Sequence, residues 1–307
     1  MKRMLVYVDR KGVGIVSQTG RVLLIDGMSF LFRAFYASAW TGGYRQTSGG
    51  VYTNAVYGFT KMMLDYVDLV RPTHLVVGWD VASRESLVRS QWYEGYKANR
   101  QAPPDELVPQ FDLVKEVTDA FAVPNLGCPG YEGDDILGTI STQLAEEGHE
   151  IVIATGDYDG LQLVSESVSV KILKNGGKHE HYTPQSLLAL RGISPEQVVD
   201  VKALMGDTSD CIPGCPGIGE KTATRLIAEH GDLDNLYRNL TACTPKMRSK
   251  LEEHREQVYL SRKLATIIRD VPIEYDLETA KWEYDTAVVK HKLEELEFGR
   301  SLLNRVG

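Results

Sequence analysis

Short apolar runs alternate with amphipathic segments from residue 21 to residue 192 of this chain. Five of the runs have the length of buried strands, and they cover residues 22–26, 75–79, 123–126, 151–155 and 168–173. Apolar residues recur at helical spacing between them, over about 50–70, 107–121, 132–147 and 184–191. Strands that alternate with helices are typical of a mostly parallel central sheet flanked by helices. The pattern therefore predicts an α/β domain over residues 21–192.

The pattern becomes wholly helical after residue 192. Gly- and Pro-rich turns separate the helical segments, which cover 195–205, 219–229, 232–239 and 245–269. We therefore predict a helical region over residues 193–307 that packs on the sheet domain. Residues 1–20 have a mixed composition and precede the first strand, so we treat them as an N-terminal extension of unknown role.

Composition narrows the class of protein. The chain has 307 residues and is 43% hydrophobic, which is enough for a large buried core. No run is long and apolar enough to span a bilayer, and the N-terminus lacks the features of a signal peptide. The chain has only four cysteines. We therefore expect a cytoplasmic protein with reduced thiols. The net charge of −8 argues against a general nucleic-acid binder, unless many of the acids are concentrated in one site.

Acidic residues follow three of the predicted strands. Asp26, Asp80 and Asp157 each stand at or just after the carboxyl end of an apolar run. Ligands of open parallel sheets bind outside the carboxyl ends of the strands. We therefore expect these three carboxylates to meet at one edge of the sheet.

Six further acids lie in short motifs along the chain: Glu132, Asp134, Asp135, Asp159, Asp207 and Asp210. Each has an ordinary alternative explanation, because acids are favoured in the first turn of a helix and Asp is common in turns. Together, however, they would repel one another, and few basic residues lie in the same motifs. Oxygen ligands without a cluster of His or Cys favour Mg²⁺ or Mn²⁺ over zinc. Two such ions would suit the hydrolysis of a phosphodiester.

The order of these motifs resembles a known family. The runs GYEGDDILGT (130–139), IATGDYDGLQL (153–163) and GDTSDCIPGCPGIGEKTA (206–223) resemble the 5′–3′ exonuclease and flap endonuclease family, which also forms the N-terminal domain of bacterial DNA polymerase I. The resemblance covers roughly residues 21–300. It implies a PIN-like α/β fold with a helical arch at about 83–104 and a helix–hairpin–helix element in the helical region. We expect the stand-alone form, since no polymerase follows residue 307.

The resemblance also implies how the acids divide. Asp26, Asp80, Glu132 and Asp134 match a first metal site; Asp157, Asp159, Asp207 and Asp210 match a second, with Asp134 serving both and Asp135 acting through water. The implied cofactors are two Mg²⁺ ions, which Mn²⁺ can replace. Two positions depart from the family pattern: Tyr158 stands where a basic residue is usual, and Cys211 where Asn is usual. Neither removes a ligand, but both put the choice of substrate in question.

Basic, aromatic and glycine residues complete the predicted site. The resemblance implies that Arg33, Lys97 and Arg100 act at the reacting phosphate. Arg89 and Tyr96 are predicted to contact DNA from the arch, where Trp92 and Tyr93 could also stack on bases. The helix–hairpin–helix element is predicted to bind duplex backbone and a K⁺ ion through Gly217, Gly219, Lys221, Thr222 and Arg225. The alternatives are surface arginines, aromatic packing within the arch and a simple Gly-rich connector.

The expected function is 5′–3′ exonuclease action on double-stranded DNA with structure-specific cutting of 5′ flaps, in RNA primer removal and repair. The expected partners are DNA 5′ ends, flaps and nicks and RNA–DNA primer junctions, with a monomeric protein and no membrane. One alternative is a non-catalytic protein that binds DNA junctions; another is a ribonuclease with a related metal-dependent sheet domain.

Overall fold

The computed structural model describes residues 6–8, 14–16, 19–39, 43–81 and 84–307. Two short strands near the N-terminus, β1 (Val6–Val8) and β2 (Gly14–Val16), pair in antiparallel fashion. Residues 1–5, 9–13 and 17–18 of the predicted extension lie outside the described residues. The extension therefore keeps an unknown role.

A six-stranded sheet forms the centre of the molecule. Its strands are β3 (Arg21–Asp26), β4 (His74–Gly78), β5 (Asn125–Leu126), β6 (Glu150–Thr155), β7 (Val168–Leu173) and β8 (His179–Tyr182). Their order is β5-β4-β3-β6-β7-β8, and the first five run parallel while β8 pairs with β7 in antiparallel fashion. The prediction of a mostly parallel sheet is confirmed. The edge strand β8 was not predicted, because its sequence HEHY contains no apolar run.

Strand β3 is the point at which the order of the sheet reverses. The chain passes from β3 to β4 on one side and later places β6 on the other side. In open α/β sheets, the crevice at such a reversal, outside the carboxyl ends of the strands, is where ligands bind. Asp26 ends β3, and Asp80 and Asp157 lie two residues after β4 and β6.

Helices cover both faces of the sheet. The helices up to the end of the α/β part are α1 (Gly27–Ala39), α2 (Asn54–Val70), α3 (Val88–Trp92), α4 (Gln110–Ala120), α5 (Gly133–Glu146) and α6 (Pro184–Arg191). Side chains of β3 point alternately to the two faces of the sheet, and each face has its own hydrophobic core. Leu23 and Ile25 pack with α1, α2 and α4, whereas Val22 and Leu24 pack with α5. Full burial on both faces explains why the strand reads as a continuous apolar run.

The helical region has its own core and also returns to the sheet. Its helices are α7 (Pro195–Met205), α8 (Glu220–His230), α9 (Leu233–Arg238), α10 (Pro245–Glu253), α11 (Arg255–Ala265), α12 (Thr286–Glu295) and α13 (Arg300–Leu303). The segment predicted as one helix over 245–269 is two, with His254 between them. Val289 and Leu293 of α12 pack into the core that contains α1 and α2, so residues 193–307 also contribute to the core of the sheet domain. No helix in the described part of the chain is both long and apolar enough to cross a membrane.

The predicted arch, residues 83–104, is described from residue 84 onward. It contains a short 3-10 helix (Arg84–Ser86) and the short helix α3, and the rest consists of turns and irregular backbone. Leu87 and Tyr96 form an apolar cluster with Ile212 and Leu264 of the helical region. The backbone N–H of Lys97 donates to the carbonyl of Asp210 over 2.9 Å. The segment is therefore docked on the helical region at the edge of the crevice.

Candidate active site

A cavity of about 600 Å³ opens at the carboxyl ends of β3, β4 and β6. The acids that line it are Asp26, Asp80, Glu132, Asp134, Asp157, Asp159 and Asp210. The basic side chains that line it are Arg33, Arg89, Lys97 and Arg100. The structure thus brings together the three strand-end acids and most of the other predicted ligands in one place. Asp135 and Asp207 lie close to this group without lining the cavity.

The backbone of the turns that follow the strands orients the strand-end acids. The Asp26 carboxylate accepts hydrogen bonds from the Ser29 N–H at 2.9 Å and the Thr155 hydroxyl at 2.7 Å. The Asp80 carboxylate accepts from the Gly133 N–H at 2.6 Å, at the start of α5. These bonds hold the carboxylates at the carboxyl edge of the sheet, where they cap the backbone that follows the strands.

Crowding and burial raise the pKa of several of these acids. Burial raises the pKa of Asp26 to about 6, and the charges of Asp80 and Asp157 add to the effect. Burial, followed by repulsion from Asp157, raises the pKa of Asp159 to about 7. The pKa of Asp134 lies well above its usual range because of burial and then repulsion from Asp26. The repulsion expected from the sequence is therefore present at the floor of the cavity.

These shifts predict how the stability of the metal-free protein depends on pH. The pKa values of about 6 for Asp26 and about 7 for Asp159 exceed the ordinary 3.8. The folded protein therefore binds protons more tightly than the unfolded chain does between about pH 4 and 7, and its stability should fall as pH rises through that window. Urea denaturation in EDTA at several pH values measures the slope. Asp159→Asn should flatten it, and an unchanged slope in that variant would contradict the assignment.

Two lysines reach these acids from other segments. The Lys97 ammonium pairs closely with Glu132 and lies 3.7 Å from Asp210. The Lys202 ammonium, from the last turn of α7, lies 2.7 Å from Asp159 and 2.5 Å from Asp207. The pKa of Asp207 falls to about 2 because these lysine and Ser209 hydrogen bonds outweigh its burial. Few basic residues lie in the acidic motifs themselves, and the fold brings these two lysines to the acids from outside those motifs.

Arg89 is buried beneath the cavity, and its predicted contact with the DNA backbone does not agree with this placement. The side chain is 5% exposed and makes five hydrogen bonds. Three go to the carboxylates of Glu132 and Asp135, and two go to the carbonyls of Leu264 and Thr266. A guanidinium has five N–H donors, so none is left for a phosphate. Arg89 instead holds two acids and ties the arch to the segment after α11.

Asp135 is equally enclosed, which excludes direct contact with an ion in this arrangement. It is 0% exposed. Besides two Arg89 bonds, its carboxylate accepts from the Ile268 N–H at 2.9 Å and the Glu132 N–H at 3.1 Å. All of its lone pairs therefore have partners within the protein, and it acts as the anchor for Arg89.

Tyr96 also differs from its prediction as a DNA contact. It is 3% exposed, and its hydroxyl donates to Glu132 over 2.9 Å, so its ring cannot stack on a base in this arrangement. Arg33 and Arg100 do line the cavity, as expected for residues that face a phosphate. Arg100 is half-exposed and contacts Asp210 at 3.1 Å, and an Arg33 N–H donates to the Leu173 carbonyl at 3.1 Å.

Tyr158, one of the two departures from the family pattern, is flanked by basic side chains at the cavity wall. The Arg191 guanidinium lies 4.4 Å and the Lys174 ammonium 4.7 Å from the centre of its ring. Its hydroxyl donates to Glu180 over 3.0 Å. Positive charge is thus present at this position although the residue itself is neutral, and cation–π attraction holds it there.

The turn that carries Asp207 and Asp210 is tightly folded. Gly206 and Gly214 approach so closely that a Cβ on Gly214 would lie 2.3 Å from the Gly206 nitrogen. Cys211, between them, adopts φ +57°, in the left-handed region. That conformation costs most residues about 1–2 kcal/mol, whereas Asn tolerates it because its side chain can bond locally. The second departure from the family pattern therefore carries backbone strain.

Cys211→Asn should raise the free energy of unfolding by about 1 kcal/mol, because it relieves this strain without touching an acid. Urea denaturation of the wild type and the variant measures the difference. Cys211→Ala removes the thiol but keeps the strain and is the matched control. If Asn were no better than Ala at this position, the explanation from backbone conformation would be wrong.

The residues predicted for the helix–hairpin–helix element lie apart from the cavity. Gly217 adopts φ +73°, and Gly219 caps α8 without a side-chain hydrogen bond. Both glycines are exposed, as are Lys221 and Arg225, while Thr222 is half-buried. Together they form one surface around the start of an eleven-residue helix. Their proposed contact with DNA is independent of the acidic cavity.

Comparison with known proteins places the chain in a family. Residues 21–191 match the family model of the 5′-3′ exonuclease N-terminal resolvase-like domain, and residues 193–287 match that of the 5′-3′ exonuclease C-terminal SAM fold. The chain is 42% identical over 261 residues to a 5′-3′ exonuclease of Bacillus subtilis, covering 85% of this chain and 87% of that protein. It is 40% identical over 279 residues to DNA polymerase I of Mycobacterium tuberculosis, covering 90% of this chain but 30% of the polymerase.

Solved structures share the fold at low sequence identity. The zinc-bound T5 5′-exonuclease matches with a TM-score of 0.63 and 19% identity, over 93% of this chain and 96% of that one. The catalytic core of Rad2 in complex with DNA substrate matches with a TM-score of 0.60 and 16% identity, over 94% and 92%. A resolvase-like α/β fold with an acidic cavity at its switch point defines the class of this protein as a nuclease. The chain belongs to the 5′-3′ exonuclease family, which confirms the resemblance seen in its motifs.

Proposed function

We propose that the protein hydrolyses DNA from 5′ ends and cuts 5′ flaps with the help of two divalent metal ions at the acidic cavity. The observation that carries this proposal is the meeting of Asp26, Asp80 and Asp157 from three strands in one cavity. A binding protein gains nothing from such repulsion, so the arrangement disfavours the non-catalytic alternative. Membership of the exonuclease family supports the same conclusion.

The donor set fits hard divalent cations. The cavity offers carboxylate oxygens, and none of the described residues that line it is His or Cys, which suits Mg²⁺, with Mn²⁺ as a substitute. In the described part of the chain, no group of three or more His, Cys, Asp or Glu side chains is arranged to hold an ion as it stands. Glu132, Asp159 and Asp207 are instead held by lysines, so we propose that metal entry rearranges these ion pairs. The T5 relative was solved with divalent metal ions.

We assign the metals to the acids in two groups. Asp26, Asp80 and Asp134 would hold one ion together with Glu132; Asp157, Asp159, Asp207 and Asp210 would hold the other, and Asp134 would serve both. When bound, the ions supply Lewis acidity that activates water and stabilises charge on the phosphate oxygens. Arg33, Lys97 and Arg100 face the same space, and their positive charge would orient the phosphodiester over the acids. Attack by water at phosphorus would break the bond to the 3′ oxygen, which would leave with a proton, so that the products carry 5′-phosphate and 3′-hydroxyl ends.

We propose that the surface around Gly217, Gly219 and Lys221 binds the duplex backbone. The exposed N–H groups at the start of α8 suit a phosphate, and carbonyls of the same turn would hold K⁺. Contacts to phosphates do not read sequence, so binding should fall steeply as salt rises. The proposed substrates are nicks, flaps and RNA–DNA primer junctions, and the proposed active form is a monomer.

The substrate is tested with 5′-labelled oligonucleotides in Mg²⁺. We expect cleavage of a 5′-flap duplex and a nicked duplex, with weaker cleavage of a plain single strand. Preference for labelled RNA over the DNA flap would favour the ribonuclease alternative. Binding to the flap without cleavage in Mg²⁺ would favour the junction-binding alternative.

Lys97→Ala should lower the single-turnover cleavage rate by about a hundredfold while DNA affinity changes by less than about threefold, because one buried cation acts at the reacting phosphate and adds little to a long backbone interface. Glu132 keeps its bonds to Arg89 and Tyr96 in this variant, so the fold should persist. Lys281→Ala, which removes an exposed lysine far along the chain, is the control. An unchanged rate for the Lys97 variant would refute this role.

A further inference from the structure

Lys202 occupies the same carboxylates that the second metal would need. Its ammonium lies 2.7 and 2.8 Å from the two oxygens of Asp159 and 2.5 Å from one oxygen of Asp207. An ammonium has three N–H donors, so all three are used on these two acids. We propose that Lys202 is a built-in competitor of the second divalent metal, which must displace its ammonium before it can bind Asp159 and Asp207. This inference rests on the proposed function.

The contacts leave little room for both cations. Both oxygens of Asp159 accept a hydrogen bond from the ammonium. A metal that bound either oxygen would therefore have to break that hydrogen bond or share the oxygen with Lys202. The side chains of Lys202, Asp159 and Asp207 are only 13%, 14% and 17% exposed, so water screens their attraction weakly. Two cations at this distance would also repel each other. Binding of the metal therefore carries the cost of releasing Lys202.

Lys202 is suited to leave because it is a flexible side chain on a fixed helix. Its neighbours Ala203 and Leu204 are fully buried and hold α7 in the core of the helical region. Its own four-carbon stem can swing without moving that backbone. Among the residues that the structure describes, Lys202 is the only basic side chain paired with Asp159 or Asp207.

Lys97 does not have the same role, and the difference lies in what else holds its partner. Glu132 also accepts bonds from Arg89 and from the Tyr96 hydroxyl, so it stays neutralised when Lys97 moves. Asp207 has only Ser209 besides the lysine, and Asp159 has no second cation among the described residues. Removing Lys202 should therefore leave two unneutralised acids next to Asp157. These are the conditions under which a divalent ion binds more tightly.

The test measures Mn²⁺ binding by the loss of the free-ion signal in electron paramagnetic resonance, for the full chain without DNA. Lys202→Gln should bind the weaker of two Mn²⁺ ions about tenfold more tightly than the wild type does, because a buried competing charge is gone. Its melting temperature in EDTA should fall, and the rise on adding Mn²⁺ should exceed that of the wild type. Lys202→Arg keeps a cation with more donors and should bind the same ion no more tightly than the wild type.

Lys292→Gln is the matched control. Lys292 is similarly buried at 16% exposure, and it also bridges two acids, Glu116 and Glu295, but it lies on α12 and does not line the acidic cavity. This variant should leave Mn²⁺ affinity unchanged. If Lys202→Gln bound Mn²⁺ as the wild type does, or more weakly, or if Lys202→Arg bound it more tightly, this inference would be overturned alone. If the wild type bound no Mn²⁺, the metal part of the proposed function would fall with it.

Discussion

Asp134→Asn should abolish cleavage while making the metal-free protein more stable. Asp134 lies at the start of α5 and faces Asp26 and Asp157 across the cavity floor, and burial and these charges hold its pKa well above the usual range. Asparagine keeps the shape but removes a charge that two proposed metal ions share. We expect a rate loss of about a thousandfold or more. Relief of repulsion should raise the free energy of unfolding in EDTA by on the order of 1 kcal/mol.

Single-turnover cleavage of a labelled flap and urea denaturation in EDTA measure the two effects. Asp112→Asn makes the same chemical change in the first turn of α4, where the side chain is exposed. It should leave the cleavage rate unchanged and lower the free energy of unfolding by about 0.5 kcal/mol, because it removes a favourable charge near the helix N-terminus. Loss of stability in Asp134→Asn would show that the acid is structural. Retained activity would remove it from the site.

Arg89→Met should lower the free energy of unfolding more than any surface substitution does. The change leaves the buried carboxylates of Glu132 and Asp135 without their shared cation. Breaking a buried ion pair on one side costs about 3–5 kcal/mol. Arg89→Lys restores the charge but not the five-bond geometry, so we expect an intermediate loss. Cleavage should fall in both variants because Glu132 and the arch lose their anchor.

Lys221→Met is the comparison that separates the structural role of Arg89 from a role in DNA contact. Lys221 is exposed on α8, so its loss should weaken DNA binding and reduce the salt dependence while the melting temperature stays unchanged. An Arg89→Met protein that melts like the wild type but binds DNA poorly would restore the original prediction for Arg89. Melting temperature and DNA affinity, measured on both variants, therefore decide between the two roles.

The sheet could be predicted from sequence because its strands are buried on both faces and read as apolar runs. Asp26, Asp80 and Asp157 could be placed at one edge for the same reason, since parallel strands end together. The strand His179–Tyr182 could not, because an edge strand of His and Glu residues carries no apolar signal. The break at His254 was missed because apolar spacing continues across it.

The direction in which side chains point was the main feature of the site that could not be predicted from the sequence. Arg89 and Tyr96 lie in a polar, aromatic segment whose composition is typical of a DNA contact, yet both point inward to Glu132. Lys202 lies 43 residues from Asp159, and nothing in the local sequence connects them. Ion pairs between distant segments depend on tertiary packing, so only the structure could reveal that lysines occupy the acids.

The same limit applies to the two departures from the family pattern. Tyr158 stands where a basic residue is usual, but Arg191 at the end of α6 and Lys174 just after β7 place positive charge beside its ring. Cys211 has a conformational explanation in its positive φ, which a sequence does not display.

Removal and return of the divalent ion test whether the acidic cavity is a metal-dependent nuclease site. The most direct measurement is single-turnover cleavage of a 5′-labelled flap by the wild-type chain, in Mg²⁺, after addition of EDTA, and after Mg²⁺ is restored in excess. We expect cleavage in Mg²⁺, none in EDTA, and recovery of cleavage when the ion is restored. Cleavage at the same rate in EDTA would contradict this expectation.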